Sequence, residues 1–441
     1  MDTTPKLRLA IVGGGIGGLA LAVALSHMKI DQEIQVDIYE SAARITQVGA
    51  GITFWPRTWE ILKDLGMEDD LVAYMNPGQE LPSKMNPKLA LCYRKSDGGH
   101  NIMISDMAFP GGSITFHRAD VQQVLLKHIS SRVRIYLSKR LASYHEFPDG
   151  IQLRFKDGES AICDMLIGAD GINSVVRKGF LKKVYNLSEP EATEAVRPLW
   201  SGTVVYRSLI DSNAIRRSMP NHPTLGKPMT YCGKHKHIIT YPVSQGRLIN
   251  TLAFVSDPHA EAIHFEGPSI INPSLDNVSS FFKHWSKEVR CITDHMTKPS
   301  RWGVEMVRPL ETYSVGRITL LGDAAHAMTT HLANGASQAI EDAYILAHIL
   351  AKASTQGIFS PEKIGAIYST IRQPFSNAVA KASLEQGRYY EFSTAEFEDV
   401  AEGDAVSQER LRGLAKEIHD RMEWMWNSSI SGDVQSALSM A

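Results

Sequence analysis

Two glycine-rich segments, far apart in the chain, have the residue types of a phosphate-binding turn. In the first, Gly13, Gly15 and Gly18 fit the pattern G-x-G-x-x-G, and Glu40 follows near the expected offset of roughly 20 residues. Glycines at these positions allow a tight turn, close approach of the backbone to a pyrophosphate and close packing of the next helix, while the acid can accept hydrogen bonds from ribose hydroxyls. The second segment, residues 319–326, repeats the order of apolar strand, glycine and acid.

Short apolar segments must position these residues. Residues 7–12 have the composition of a buried parallel strand, and residues 35–39 are predicted to form the second strand, which ends at Glu40. A helix over about 17–28 would direct its N-terminal amides at the phosphates. Downstream, we predict a strand over 319–321 and a helix over about 338–352, where apolar residues recur at helical spacing. This context predicts dinucleotide binding. Because Glu40 would repel a 2′-phosphate, a nicotinamide cofactor bound here would be NAD rather than NADP.

Length, charge and cysteine content narrow the class of protein. With 441 residues the chain is too long for one hydrophobic core, so we expect two domains and a helical appendage. The net charge of -2, without a long basic run, argues against nucleic-acid binding. The four cysteines are widely spaced and form no C-x-x-C motif, so we expect buried free thiols and no metal site.

Residues 9–28 contain no charged side chain, and this length could span a membrane or resemble a signal peptide. A membrane segment would leave the glycine spacing and Glu40 without an explanation. We therefore predict a βα turn here and a soluble cytoplasmic protein with no transmembrane segment, either a monomer or a homodimer.

Three motifs together resemble those of the class A FAD-dependent aromatic hydroxylases, the family of para-hydroxybenzoate hydroxylase. The first is the glycine turn with Glu40. The second is the pattern D-x-L-I-G-A-D-G-x-x-S-x-V-R at residues 164–177, and the third is the G-D-A-A-H run at 322–326. The family's H-R-x-x-L/V signal begins at His117. Within the family, the segments 48–52 and 333–338 and the tail W-M-W are most similar to the salicylate hydroxylase-like branch.

The resemblance implies that FAD is bound and that NADH or NADPH binds transiently as the reductant. Gly13, Gly15 and Gly18 would hold the FAD pyrophosphate, and Glu40 the adenosine ribose. Asp170 would serve both FAD and the reducing cofactor.

At the flavin half of the cofactor, the resemblance implies two kinds of contact. An arginine and an aspartate would reach the ribityl and phosphate groups, and two glycine-rich segments would place backbone along the isoalloxazine ring. These residues are Arg118, Asp323, Gly49, Ala50, Gly51, Gly335 and Ala336.

A simpler interpretation remains open for each polar residue in the motifs. Arg118 could form only a surface ion pair, Asp323 could only cap a helix, and Asp170 could only tie down a turn. We expect His117 and His326 to be structural rather than catalytic.

The predicted fold is α/β, with a Rossmann-like FAD-binding domain, an inserted antiparallel-sheet substrate domain and a C-terminal helical region. Residues 183–198 and 257–277 are predicted to be loops. The predicted division is 1–76, 113–198 and 300–360 for the FAD-binding domain, 77–112 and 199–299 for the substrate domain, and 361–441 for the helical region.

Strand-like segments over 201–208, 237–243 and 247–254 predict the inserted sheet. Its polar side chains are candidates for positioning a substrate. Since neighbouring residues of a strand face opposite sides, only one of Tyr206 and Arg207 can face inward. The candidates are Arg207, Tyr231, His237 and Tyr241.

The chemistry implied by the resemblance is hydroxylation of a phenolic ring. NAD(P)H would reduce FAD, O2 would form a flavin C4a-hydroperoxide, and that species would transfer oxygen. Attack at a ring carbon bearing a carboxylate would release CO2. One position departs from the family: Thr330 stands where proline is common, and it adds a hydroxyl and an N–H. The alternatives are an FAD-dependent epoxidase or oxidase of a secondary metabolite, and a non-catalytic flavin-binding protein.

Overall fold

A computed structural model of the chain describes residues 5–45, 51–76, 79–81, 87–261, 263–265, 270–271 and 278–441. Within these ranges the strands are β1 (Arg8–Val12), β2 (Gln35–Tyr39), β3 (Gly51–Phe54), β4 (Pro87–Lys95), β5 (Ile102–Pro110), β6 (Ile114–His117), β7 (Arg134–Tyr136), β8 (Leu141–Phe147), β9 (Gly150–Phe155), β10 (Ser160–Cys163), β11 (Met165–Gly168), β12 (Leu199–Asp211), β13 (Met229–Gly233), β14 (Lys236–Val243), β15 (Leu248–Glu261), β16 (Ile270–Ile271), β17 (Ser300–Met306), β18 (Ser314–Val315) and β19 (Ile318–Leu320). The α-helices are α1 (Ile16–His27), α2 (Pro56–Asp64), α3 (Glu68–Val72), α4 (Arg118–His128), α5 (Val175–Val184), α6 (Glu189–Val196), α7 (Ser212–Ser218), α8 (Val278–Phe281), α9 (Lys287–Asp294), α10 (Asp323–His326), α11 (Gly335–Gln356), α12 (Pro361–Tyr390), α13 (Gln408–Met422), α14 (Trp424–Asn427) and α15 (Ser431–Met440).

The first sheet has the order β18-β19-β11-β1-β2-β7 and is parallel except for β18. Strands β1, β2, β11 and β19 are almost entirely buried, as expected for a sheet covered by helices on both faces. The uncharged run over residues 9–28 forms β1 and α1. No helix in the described part of the chain has the length and hydropathy of a membrane span. The predicted mixed α/β architecture is confirmed.

Helix α11 begins one turn earlier than the predicted start at residue 338. Its first residues, Gly335 to Ser337, carry little helical signal of their own, but Gln338 N already donates to Asn334 O at 2.8 Å. Packing of α11 against α1 supports this extra turn, which places the N-terminus of α11 beside the first sheet.

The second sheet has the order β16-β17-β12-β15-β14-β13-β4-β5 and is antiparallel except for the pair β13–β4. Strands β4 and β5, from residues 87–110, therefore lie in the same sheet as strands β12 to β17, which begin at residue 199. Strand β17, Ser300–Met306, pairs with β12 in this sheet, whereas the sequence had assigned residue 300 onwards to the FAD-binding domain. Strand pairing of this kind depends on distant residues, so the local pattern did not reveal it.

Two segments predicted to be loops contain regular structure. Residues 183–198 include helix α6, which begins with a capping box between Ser188 and Glu191. Residues 257–261 continue β15, and Glu261 pairs with Ser201 of β12. The capping box was visible in the sequence, but the long strand depends on its partner.

The C-terminal region is helical, as predicted. Helix α13 buries the four apolar residues predicted to share one face, and it packs near β5. Trp426 stacks on Phe109 of β5 with ring centroids 4.0 Å apart. These contacts bring the C-terminal helices to one end of the second sheet. The four residues of α13 are Leu411, Leu414, Ile418 and Met422.

Candidate cofactor and substrate site

A cleft of about 770 Å³ lies between the first sheet and the second. It extends from the glycine turn after β1, past the N-terminus of α11, to one face of β12, β14 and β15. The predicted site residues that line it are Gly13, Gly15, Glu40, Gly51, Arg118, Asp170, Arg207, Tyr241, Asp323, Gly335 and Ala336. Gly49 and Ala50 lie outside the described residues.

Each glycine of the first turn has a different environment. A Cβ on Gly13 would lie 2.2 Å from the carbonyl oxygen of Ala169, and the φ of Gly13 is +114°. A Cβ on Gly18 would lie 2.1 Å from the carbonyl oxygen of Gly13. A Cβ on Gly15 would meet no protein atom within 4 Å. Gly13 and Gly18 are therefore required by the fold, whereas Gly15 leaves open space at the N-terminus of α1.

Glu40 lies at the end of β2, at the edge of the cleft. Its carboxylate accepts hydrogen bonds from Gly14 N at 2.8 Å and from Ala42 N at 2.7 Å. These two backbone amides hold the carboxylate in place, and a carboxylate has further lone pairs for hydroxyl donors.

Arg118 begins helix α4 and contributes a cation to the middle of the cleft. Its Nε is buried and has no hydrogen-bond partner among the described residues. Burial lowers the pKa of Arg118, and the charge of Asp323 opposes this shift. A buried, unpaired guanidinium N–H needs an acceptor, and phosphate oxygens are well suited to that role.

Asp170 caps the N-terminus of helix α5. It accepts hydrogen bonds from the Ser174 hydroxyl and from Val175 N, the latter at 2.7 Å. Burial raises the pKa of Asp170, although these hydrogen bonds oppose the shift. Asp170 thus ties down a turn, as the simpler interpretation expected, and it also lines the cleft.

Arg177, the last residue of the second motif, connects that motif to the third. Its guanidinium donates to the carbonyl oxygens of Ala324 and Ala325, at 3.0 and 2.9 Å, and to that of Arg308 at 2.6 Å. Burial lowers its pKa to about 10. Arg177 therefore holds the 322–326 turn at the edge of the cleft.

A buried network of charged side chains contacts the 322–326 turn on the side of helix α11. Asp342 of α11 accepts hydrogen bonds from Gly322 N at 3.0 Å and Arg372 Nε at 2.8 Å, and it lies 2.6 Å from His326 Nε2. Although burial raises the pKa of Asp342, His326 and Arg372 lower it to about 2. The network also includes Glu341, which contacts Arg372. This arrangement agrees with the structural role expected for His326, but the sequence analysis did not identify its partners.

The N-terminus of α11 faces the cleft at the sequence A-N-G-A, residues 333–336. The first amides of a helix have no partner within the helix, and Gly335 and Ala336 line the cleft at this point. Such a terminus attracts anionic or electron-rich groups. Together with the N-terminus of α1 and Arg118, it supplies several donors along one wall, and this donor set fits a dinucleotide.

The far end of the cleft is lined by the second sheet. Arg207 of β12 faces it, with its guanidinium carbon 5.1 Å from the Trp302 ring centroid, and burial lowers its pKa. Tyr206 packs on the opposite face, as strand alternation requires. Tyr241 lies against Gly51, where an added Cβ would be 2.4 Å from its hydroxyl oxygen. Burial raises the pKa of Tyr241 to about 12, although Arg207 opposes the shift.

Two of the four predicted substrate residues do not line the cleft. Tyr231 lies on the opposite face of the sheet, where its hydroxyl donates to Glu288 at 3.1 Å. His237 is fully buried behind the cleft wall and lies 2.8 Å from Glu391. Strand periodicity did not show which face of the sheet is covered by helices, and Tyr231 lies on that covered face. His237 shares the face of Ile239 and Tyr241 but lies beyond the part of β14 that lines the cleft.

The structure adds cleft residues that the sequence analysis did not select. They are His331, Tyr390 and Met422, and Thr330 joins them at the position where the family commonly has proline. Burial lowers the pKa of His331 to about 3, and its Nδ1 has no hydrogen-bond partner among the described residues. In the sequence, only its position next to Thr330 marked His331 as a candidate cleft residue.

The chain matches the FAD binding domain family over residues 6–188 and 284–383. It is 32% identical to a salicylate hydroxylase of Pseudomonas putida, over 98% of this chain and 94% of that protein. It is 28% identical to 6-methylsalicylate 1-monooxygenase of Aspergillus terreus, over 100% and 93% of the two chains. The solved structure of a salicylate hydroxylase substrate complex superposes with a TM-score of 0.80, at 28% identity, covering 99% of this chain and 98% of that one. The chain therefore belongs to the FAD-binding aromatic hydroxylase family, and it is a flavoprotein monooxygenase.

Proposed function

We propose that the protein hydroxylates a phenolic aromatic carboxylate, using O2 and either NADH or NADPH. The observation that carries this proposal is the position of Arg207 and His331 in one cleft with the dinucleotide-binding wall. A cation and a neutral imidazole at the apolar end of the cleft suit a small anionic phenol. The relatives that are named for salicylate and 6-methylsalicylate support the same substrate class.

In this proposal the glycine turn, Glu40 and Arg118 bind the adenosine and phosphate part of FAD. The N-terminus of α11 and Asp323 bind its flavin end. FAD held there would supply the redox and oxygen chemistry that the protein's side chains lack. The unpaired Nε of Arg118 and the open space at Gly15 support this placement.

The protein's own residues would orient and ionise the substrate. Arg207 would pair with the substrate carboxylate or with the developing phenolate, because an opposite charge favours the ionised form. His331 would stay neutral at pH 7, because burial lowers its pKa to about 3, and it would contact the phenol as a hydrogen-bonding group rather than as a base. Apolar residues around them would exclude water, which protects the reactive oxygen species from side reactions. These lining residues include Leu91, Val205, Ile239, Leu252 and Met328.

Oxidative decarboxylation is a second candidate outcome within the same proposal. If the hydroxyl enters at the carbon bearing the carboxylate, that carbon loses CO2 and the ring recovers its aromaticity. The names of the salicylate and 6-methylsalicylate enzymes among the relatives favour ortho-hydroxybenzoates as the first substrates to test.

The direct test is a substrate screen with purified, FAD-loaded protein. Salicylate, 6-methylsalicylate, 3-hydroxybenzoate and benzoate are each mixed with NADH or NADPH, and nucleotide oxidation is followed by absorbance. Product masses then distinguish gain of oxygen alone from gain of oxygen with loss of the carboxyl group. Benzoate has no phenol and should be inactive. If no phenol stimulates nucleotide oxidation, the proposal is wrong and the non-catalytic flavin-binding alternative gains support.

A pair of arginine variants tests the substrate end. Arg207→Gln should raise KM for a hydroxybenzoate by about 10- to 100-fold, because a charge-assisted hydrogen bond contributes about 1.5–3 kcal/mol. Arg301→Gln is the matched control, since Arg301 lies over Phe265 and does not line the cleft. Equal kinetics for both variants would remove Arg207 from the proposed site.

A further inference from the structure

One face of helix α12 contacts the segment that carries Thr330 and His331 into the cleft. Ser383, Gly387 and Tyr390 follow one another at the spacing i, i+4 and i+7, which places them on the same side of the helix. Neither Ser383 nor Gly387 lines the cleft, and neither has a role in the function proposed above. The C-terminal helical region therefore reaches the site through this face.

Two of the three residues bind the backbone of the segment. The Ser383 hydroxyl donates to the Thr329 carbonyl oxygen at 2.7 Å and accepts from Thr329 Oγ1 at 3.0 Å and from Leu332 N at 3.4 Å. The Tyr390 hydroxyl donates to the carbonyl oxygen of His331 at 3.2 Å. These hydrogen bonds hold the backbone on both sides of His331 against α12.

Gly387, the third residue, lies directly against the His331 ring. A Cβ on Gly387 would be 2.6 Å from both Cδ2 and Nε2 of His331 and 3.0 Å from its Cγ. Apart from α12 itself, these are the nearest atoms. Gly387 has helical backbone angles, a conformation in which alanine is more stable than glycine. Space for the imidazole, and not backbone geometry, therefore distinguishes glycine from alanine at this position.

The His331 ring has little room to move within the protein. Three buried rings lie beside it, with centroid distances of 5.3 Å to Phe254, 5.1 Å to His237 and 6.4 Å to Tyr390. The open space next to His331 is the cleft, which it lines. Because protein interiors are close-packed, an imidazole pushed away from α12 moves into the cleft.

We propose that Gly387 is a positioning residue for hydroxylation: because it has no side chain, the His331 imidazole rests against α12 and leaves the cleft open for the substrate's ring. The inference rests on the proposed function, in which His331 contacts the phenol and Arg207 pairs with its charge. A side chain at Gly387 would displace the imidazole by about 1 Å, into the space of that phenol.

A set of alanine variants separates this effect from general packing. Gly387→Ala and His331→Ala are made singly and together. Gly365→Ala is the matched control, because Gly365 also lies inside α12 and its Cβ would be 2.0 Å from Ser314 Oγ. Neither Gly365 nor Ser314 lines the cleft.

The first measurement is the Kd for salicylate, from the change in flavin absorbance when FAD-loaded protein is titrated. If salicylate is inactive in the screen, the most active hydroxybenzoate replaces it. Gly387→Ala should raise Kd and KM about tenfold and lower the yield of product per NAD(P)H oxidised. In the His331→Ala protein the same substitution should change Kd by less than about twofold, because no ring remains to be displaced. Gly365→Ala should keep the wild-type Kd.

The second measurement needs no substrate. In urea unfolding of the FAD-free proteins, Gly387→Ala should lower the midpoint when His331 is present, because the Cβ and the imidazole compete for space. In the His331→Ala protein it should raise the midpoint, because alanine favours the helix and the obstructing ring is gone.

A wild-type Kd in Gly387→Ala would overturn the proposal. An equal loss in the His331→Ala protein, or in Gly365→Ala, would also overturn it, since either would indicate a general effect on packing. If Gly387→Ala does not fold, the double variant decides: folding supports a clash with His331, and failure to fold overturns it. Failure of the proposed function is different, because the wild type would then bind no hydroxybenzoate and oxidise no NAD(P)H with any phenol. The unfolding midpoints would still decide whether Gly387 sets the position of His331.

Discussion

The contrast between Gly18 and Gly15 predicts two different consequences of the same substitution. In Gly18→Ala the new Cβ would lie 2.1 Å from the carbonyl oxygen of Gly13 and 3.2 Å from Ile11 Cγ2. Since Cβ atoms essentially never approach closer than 3.0 Å, α1 must withdraw from β1 by about 1 Å. The obstructing atom belongs to the backbone and cannot rotate away.

The expected cost follows from these distances. Overpacking costs about 1–3 kcal/mol, and a rigid backbone obstacle places Gly18→Ala at the upper end of that range. Replacing a helical glycine with alanine returns about 1 kcal/mol. We therefore expect the free energy of unfolding of the FAD-free protein to fall by about 2 kcal/mol.

Gly15→Ala is the matched control for stability and the test for binding. Its Cβ would meet no protein atom within 4 Å, and the φ of -75° suits alanine. The FAD-free protein should keep its stability to within about 0.5 kcal/mol. Its affinity for FAD should fall by about 10- to 100-fold, because the Cβ occupies space that the pyrophosphate backbone contact needs.

Urea unfolding of the FAD-free proteins measures the first effect, and quenching of flavin fluorescence during titration measures the second. The reasoning is refuted if Gly18→Ala is as stable as Gly15→Ala. It is equally refuted if Gly15→Ala binds FAD with wild-type affinity.

Three further substitutions and one pH dependence test other parts of the structure. Arg372→Met should lower the free energy of unfolding by about 3–5 kcal/mol in urea, because it removes the cation that the buried carboxylates of Glu341 and Asp342 share. The pKa of Asp342, about 2, lies below the unfolded value of about 3.9, so its ionised form stabilises the fold above that value. Stability should therefore fall as the pH decreases from about 4 towards 2, with a smaller slope in Asp342→Asn in acid titrations of unfolding. Arg177→Met should weaken FAD binding in fluorescence titrations, since it removes two hydrogen bonds that hold the 322–326 turn and a third to the Arg308 carbonyl. Tyr231→Phe should leave kcat and KM unchanged in the hydroxylation assay and cost about 1 kcal/mol in urea, and altered kinetics would contradict its position on the far face.

Local sequence patterns were sufficient for elements whose signals are contained within a few residues. Strand β2 spans Gln35–Tyr39, as predicted, because its β-branched and aromatic residues favour a strand and an acid follows it. The apolar face of α13 was also predicted correctly, since helical spacing identifies the buried side of a surface helix. The start of α11 was missed because its first residues are small and gain stability from tertiary contacts. Helix α6 was missed although its capping box is a local signal.

In the cleft, too, some features followed from local sequence patterns and others only from the packing of the sheet. Alternation along β12 predicted that Tyr206 and Arg207 face opposite sides, but only the packed sheet showed that Arg207 faces the cleft. On β13 the same ambiguity led to a wrong expectation for Tyr231, because helices α8 and α9 cover the face on which it lies. A strand's period is a local property, whereas its orientation depends on what covers each face of the sheet.

Short motifs at fixed spacing were enough to predict the family, the bound cofactor and the strand–turn–helix unit at the N-terminus. Which distant side chains meet depends on how the whole chain packs. Packing places His331 in the cleft, joins Asp342 to Arg372 beneath the 322–326 turn, and brings Glu391 against His237. Burial then gives these groups their altered proton affinities, and burial is a property of the whole fold rather than of any segment.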